Sequence, residues 1–114
     1  MSEAFADLNA PYIDFGPWVF SDSQLYNMFD FDLKNAEPIV LATIPSAPDL
    51  VSGHVYTLIG LQKVHGVNEY IIRNPWGESG DKFENSQGIA ALTYAQLIAN
   101  CQEAVAGGTE MVIA

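Results

Sequence analysis

His54-Val-Tyr-Thr-Leu-Ile-Gly-Leu-Gln-Lys-Val-His-Gly-Val-Asn-Glu-Tyr-Ile-Ile-Arg-Asn74 is the stretch that decides how this chain folds. From Val55 to Lys63 the residues are mostly β-branched, aromatic or aliphatic, on both alternating faces, which predicts a central strand covered on both sides. Val64-His-Gly-Val67 supplies a turn, with Gly66 free to take positive φ. Residues 69–73 then return as a second strand, so the segment reads as a β-hairpin. Asn74-Pro-Trp-Gly77 ends it, because Pro75 has no N–H to give to a ladder.

Pro38 opens an apolar run, Ile39-Val-Leu-Ala-Thr-Ile44, that predicts a buried strand, and Pro45-Ser-Ala-Pro-Asp49 is a loop. Residues 2–8 are compatible with a short helix, and Asn9-Ala-Pro and Gly16-Pro17 break the chain after it. Leu25, Met28 and Phe29 follow helical spacing over 22–31, with Ser21 or Asp22 as the N-cap. Residues 78–88 are a polar loop. Thr93 and Gln96 form a capping box for a helix reaching about Glu103, with Leu97, Ile98, Cys101 and Val105 at helical spacing. Gly107-Gly108 stops that helix, and Met111-Val-Ile113 makes a last short strand. The fold class predicted is α+β, a mainly antiparallel sheet with flanking helices.

Composition narrows the functions. Among 114 residues, 14 are acidic and 4 basic, giving a net charge of −10. Lys34, Lys63, Arg73 and Lys82 are scattered, whereas phosphate contacts need clustered cations, so nucleic acid is not an expected partner. An anionic membrane surface would repel the chain. No stretch approaches the roughly 20 apolar residues of a membrane helix, and the acidic start is no secretory signal, so the expected location is the cytoplasm. The single cysteine, Cys101, cannot form an internal disulfide, and His54 and His65 do not stand at a zinc spacing.

Counted back from the turn, the hairpin sets His54 opposite about Gly77, which brings Asn74 within reach of it at the open end. Such a pair suits cysteine-protease chemistry. A histidine takes the thiol proton and later protonates the leaving amine, and an asparagine oxygen holds the ring in one tautomer. Trp76 is placed to shield that hydrogen bond from water, where the lower dielectric strengthens it. Taken alone, His54 reads as an ordinary strand-start histidine, Asn74 as a turn residue ahead of proline, and Trp76 as a packing residue.

The spelling around the pair adds to this. Leu50-Val-Ser-Gly53-His54-Val-Tyr-Thr-Leu58 followed by Tyr70-Ile-Ile-Arg-Asn74-Pro75-Trp76-Gly77 resembles the calpain family of papain-like cysteine proteases, which writes Gly-His-Ala-Tyr-Ser-Val and Arg-Asn-Pro-Trp-Gly around its catalytic histidine and asparagine. Papain has Asn-Ser-Trp-Gly at that point, so Pro75 favours calpain. The resemblance runs from about Lys34 to about Cys101. It implies His54 and Asn74 as catalytic residues with Gly53, Pro75, Trp76 and Gly77 supporting them. It also implies a half-barrel like the C-terminal subdomain of these enzymes over residues 34–114, with 1–33 a helical or irregular N-terminal segment of the same domain.

The resemblance stops at the nucleophile. In papain-like enzymes the cysteine lies about 130–150 residues before the histidine and asparagine, yet no cysteine stands among the 53 residues ahead of His54. Cys101 follows the asparagine and reads as a small core residue. No glutamine can be assigned to the oxyanion site. The expectation is therefore the histidine- and asparagine-bearing half of a calpain-like endopeptidase, inactive alone, whose partner is a cysteine-bearing protease half or upstream domain and whose substrate, once complete, is a peptide. The alternative is a non-catalytic binding or regulatory domain that keeps the fold. No cofactor is required. The family's calcium loops leave calcium open at Glu78, Asp81 and Glu84, although these read more simply as solvated charges. Tyr12, Phe15, Trp18 and Phe20 form an aromatic cluster that reads either as core or as a cover for a partner face.

Overall fold

A computed structural model of the chain describes residues 12–13, 20–78, 84–106 and 108–113. In order these form β1 (Tyr12–Ile13), α1 (Asp22–Lys34), β2 (Ile39–Thr43), β3 (Val55–Val64), β4 (Val67–Arg73), β5 (Ile89–Thr93), α2 (Tyr94–Asn100), β6 (Cys101–Ala106) and β7 (Thr109–Val112). The strands make a seven-stranded sheet in the order β1-β7-β6-β2-β3-β4-β5. Every pairing is antiparallel except that of β1 with β7. The α+β class with a mainly antiparallel sheet is thus observed. The helix read over residues 2–8, Phe15, Trp18 and Asp81 lie outside the described residues, as do the side chain of Tyr12 and Gly107.

The hairpin forms through a two-residue turn in which His65 (φ 51°) and Gly66 (φ 81°) are both left-handed, the geometry whose twist matches paired strands. Val64 pairs with Val67, and the register holds back to Gly60 opposite Ile71. A bulge then intervenes, so that Leu58 meets Ile72 and Thr57 meets Arg73. It advances the partner of every earlier residue by one position, which carries His54 toward Trp76 rather than Gly77.

Alternation along the strands builds one core. Leu41, Tyr56, Ile72 and Leu92 are fully or nearly fully buried, and Leu25 and Phe29 of α1 join them with Leu97 of α2. The Tyr70 ring meets Tyr26 and Phe29 edge-on, and its hydroxyl donates to Asp22 Oδ1 at 2.7 Å, tying α1 to β4. Ser21, not Asp22, caps α1, in a capping box with Gln24.

Three expectations need correction. β3 is central in the sheet but is covered on one face only, for Tyr56 and Leu58 are buried while Val55 and Ile59 remain 39% and 45% exposed. Apolar and β-branched residues satisfy a strand whether or not both faces are covered, so composition could not distinguish the cases. The second helix ends at Asn100, and residues 101–106 are strand β6. There, pairing with β2 on one side and β7 on the other overrides the helical spacing of Cys101 and Val105. Finally, β5, which the sequence reading assigns to no element, covers the outer side of β4.

Two outcomes follow for stability. Phe29→Ala empties a fully buried site and is expected to cost about 3–5 kcal/mol, whereas Phe31→Ala, at a side chain 67% exposed, should stay within about 0.5 kcal/mol; urea titration of both variants checks this. Glu110 is buried on β7 with neither carboxylate oxygen hydrogen-bonded among the described residues, and desolvation raises its pKa above the ordinary carboxylate value. A raised acid binds its proton more tightly in the folded state, so stability falls as pH rises past the unfolded value. Glu110→Gln should therefore raise the melting temperature at pH 7, with the gain vanishing toward pH 4 in thermal scans.

Candidate functional site

Strand ends and turns place the site. β2 and β3 meet at their ends through Thr43. The His54 backbone N–H donates to Thr43 Oγ1 at 2.7 Å, and the Thr43 N–H donates to the His54 carbonyl at 2.9 Å. The Thr43 hydroxyl proton has the carbonyls of Val51 and His54 within reach at 2.7 and 3.0 Å. These bonds clamp the main chain of His54 where β3 begins. Gly53, at φ 58°, supplies the left-handed step into it.

Asn74 follows β4. Its N–H donates to the Gly88 carbonyl at 2.7 Å, and its carbonyl accepts from the Gly77 N–H at 3.0 Å, closing a turn with Pro75 at the second position and Gly77 at φ 72°. Proline and glycine suit those two positions, and asparagine suits the first because its side chain can bond to the turn's own backbone. It does so here, for Asn74 Oδ1 accepts from the Trp76 N–H at 3.0 Å. Gly88 sits beneath. A Cβ there would lie 2.9 Å from the Glu78 carbonyl oxygen and 3.2 Å from Asn74 Cβ, with φ at 77°, so only glycine lets the loop approach this closely.

The structure brings His54 and Asn74 together, with Nε2 of the ring 3.0 Å from Oδ1. The Trp76 ring lies 4.8 Å from the His54 ring, tilted by 46°, and is itself 56% exposed. It covers one side of the imidazole and is not a core anchor. Pro75 and Gly77 are exposed turn residues, and His65 stands apart at the hairpin tip.

Two neighbours of the pair escape sequence reasoning. Glu84 is buried; it accepts from Asn74 Nδ2 at 3.0 Å through Oε1 and from the Tyr56 hydroxyl at 2.5 Å through Oε2. Its reading as a solvated loop charge is overturned, because it is buried and each of its oxygens accepts a hydrogen bond from a neighbouring side chain. Glu78 is exposed, and among the described residues no group of three or more histidine, cysteine or acidic side chains could hold a metal ion. The only earlier sign of Tyr56 was its place in the Gly53-His54-Val-Tyr56 spelling; in the structure its ring stands edge-on to the His54 ring at 5.3 Å.

The donors and acceptors determine what the histidine can do. Trp76 N–H can only donate, so the Asn74 atom facing it is the oxygen. That oxygen cannot donate to the ring, so His54 Nε2 carries a proton, and in the neutral ring Nδ1 is then the nitrogen with the free lone pair. Nδ1 has no hydrogen-bond partner among the described residues, which leaves it able to accept a proton from an incoming group. Cys101 is not that group. It pairs in register with Thr43, two strands from His54, which is about 10 Å of backbone separation. Its thiol is fully buried, and desolvation pushes its pKa up to about 12.

No family model matches this chain, and neither a curated protein nor a solved structure matches it. No helix among the described residues is long and apolar enough to cross a membrane.

Cys101 should be inert in the folded protein. Iodoacetamide at pH 8 is expected to leave it unmodified over hours and to label it within minutes in 6 M guanidinium (~6 M being enough to unfold most domains), as followed by intact-mass spectrometry. A thiolate is the attacking form, and a pKa near 12 leaves roughly one in ten thousand thiols ionised at that pH.

Proposed function

We propose that this chain is the histidine- and asparagine-bearing half of a calpain-like, papain-type cysteine endopeptidase, with His54 as general base and acid and Asn74 as the residue that orients it. The observation that carries the reading is the 3.0 Å contact between His54 Nε2 and Asn74 Oδ1, in a network that leaves Nδ1 free to take a proton. Cysteine proteases need this arrangement, because a neutral imidazole must accept from the thiol and then protonate the departing amine. The calpain-like spelling of Gly53-His54 and Asn74-Pro75-Trp76-Gly77 supports it further.

In this reading the nucleophile is supplied by a segment outside these 114 residues, since Cys101 is the one cysteine of the sequence and lies buried away from His54. The chain binds that segment across the face where His54 and Trp76 emerge, and the chain alone does not cleave peptides.

The test is a mixing assay. The chain is combined with the cysteine-bearing product encoded beside it, or expressed within its full reading frame, and cleavage of a fluorogenic peptide library is followed with and without a thiol alkylator. Alkylator-sensitive cleavage is expected in the mixture only. His54→Ala should lower it by about 10²–10⁴-fold, and Asn74→Ala by a smaller factor. If the partner binds but His54→Ala leaves cleavage unchanged, the assignment is wrong. Binding without any cleavage favours a domain that keeps the fold for recognition alone.

A further inference from the structure

The histidine of such a site is useful only in one tautomer, and that choice passes to the orientation of a single carboxamide. Were the Asn74 side chain turned over, Nδ2 would face the ring. Nε2 would then have to accept, the proton would sit on Nδ1, and the free nitrogen would no longer be a base. Oxygen and nitrogen of an amide have nearly the same shape, so packing alone does not choose between the two orientations; the hydrogen-bonding neighbours do.

Trp76 N–H faces Oδ1 from one side. On the other side stands Glu84, whose Oε1 accepts from Nδ2 at 3.0 Å. A carboxylate offers no donor, so a turned-over Asn74 would set its oxygen against another oxygen inside a buried site, where no water relieves the repulsion. Glu84 is in turn held. The Tyr56 hydroxyl donates to Oε2, and the Val51 N–H donates to the Tyr56 oxygen at 3.0 Å. The series closes on itself, since the Val51 carbonyl accepts from Thr43 Oγ1, the atom that receives the His54 N–H.

We propose that Glu84 is a positioning residue that fixes His54 in its Nε2–H tautomer by holding the Asn74 amide one way round, with Tyr56 steering the carboxylate. The proposal rests on the protease reading for its catalytic consequence, but the tautomer can be read on the chain alone. Failure of the mixing assay therefore leaves this proposal standing, and failure here leaves the mixing assay to be decided by itself.

The experiment is long-range ¹H–¹⁵N correlation of the His54 ring in the full chain, at a pH where the ring is neutral. In the unsubstituted protein Nδ1 is expected in the unprotonated range and Nε2 in the protonated range. Glu84→Ala should lower the tautomer ratio by about tenfold, the equivalent of one buried hydrogen bond, moving the two nitrogen signals toward each other. Glu84→Gln, which can still turn an oxygen toward Nδ2, should restore most of the preference, a rescue that loss of packing would not produce. A folded Glu84→Ala protein with unchanged ring nitrogen signals overturns the proposal. Should that variant fail to fold, the unsubstituted chain decides. A through-hydrogen-bond coupling from Asn74 Nδ2 to Glu84 Cδ, with slow exchange of the Nδ2 protons, is expected; fast exchange without coupling overturns it.

Discussion

The hydrogen bond between His54 Nε2 and Asn74 Oδ1 joins the ends of two neighbouring strands, and neither side chain could reach the other without the backbone geometry on both sides. His54 is set by its ladder-like contact with Thr43 on β2. Asn74 is set by a proline turn and by the carbonyl of Gly88, a residue that can approach only because it lacks a side chain. The bulge in β3 supplies the last adjustment, since without it the register would aim His54 one residue further along the departing chain. Positioning here is done by main-chain hydrogen bonds and turn chemistry, and the side chains inherit it.

That division explains what could be read from the sequence. The hairpin, its Gly66 turn and the Asn74-Pro75 ending depend on local chemistry, and local chemistry is written in consecutive residues. The N-cap at Ser21, read as one of two candidates, and the capping box at Thr93/Gln96 belong to the same class. The bulge left a sign in Gly60, since a glycine inside an otherwise apolar strand often marks one, and its consequence was a shift of only one residue. Strand β6 was not legible. Cys101, Gln102 and Glu103 continue a helical pattern, and only the neighbours on either side, more than fifty residues upstream and a few downstream, impose extension.

Glu84 was hidden for a different reason. In sequence it is one acid among several in a polar loop, and loop acids are ordinarily solvated. What removes it from water is the pair of donors that meet it, one from Asn74 and one from Tyr56, which stand 10 and 28 residues away. The network around the imidazole is thus more extensive than the motif that announces it. In the function proposed above, the motif names the base and its partner, and the fold supplies the acceptor that keeps the partner the right way round.

Glu84 and Glu110 show how the same side chain takes opposite parts in one small domain. Both are withdrawn from solvent. Glu84 has a donor on each oxygen, so burial strengthens its contacts and makes them directional. Glu110 has none on either oxygen among the described residues, so burial only penalises its charge and raises its pKa. In a chain carrying 14 acidic residues against 4 basic ones, cations are too few to neutralise buried carboxylates one by one. Neutral donors have to do it, and a phenol and a carboxamide do so beside His54. The excess of acid in the composition thereby favours a site built from hydrogen bonds to neutral groups over one built from ion pairs, and that is the chemistry the His54–Asn74–Glu84–Tyr56 series displays.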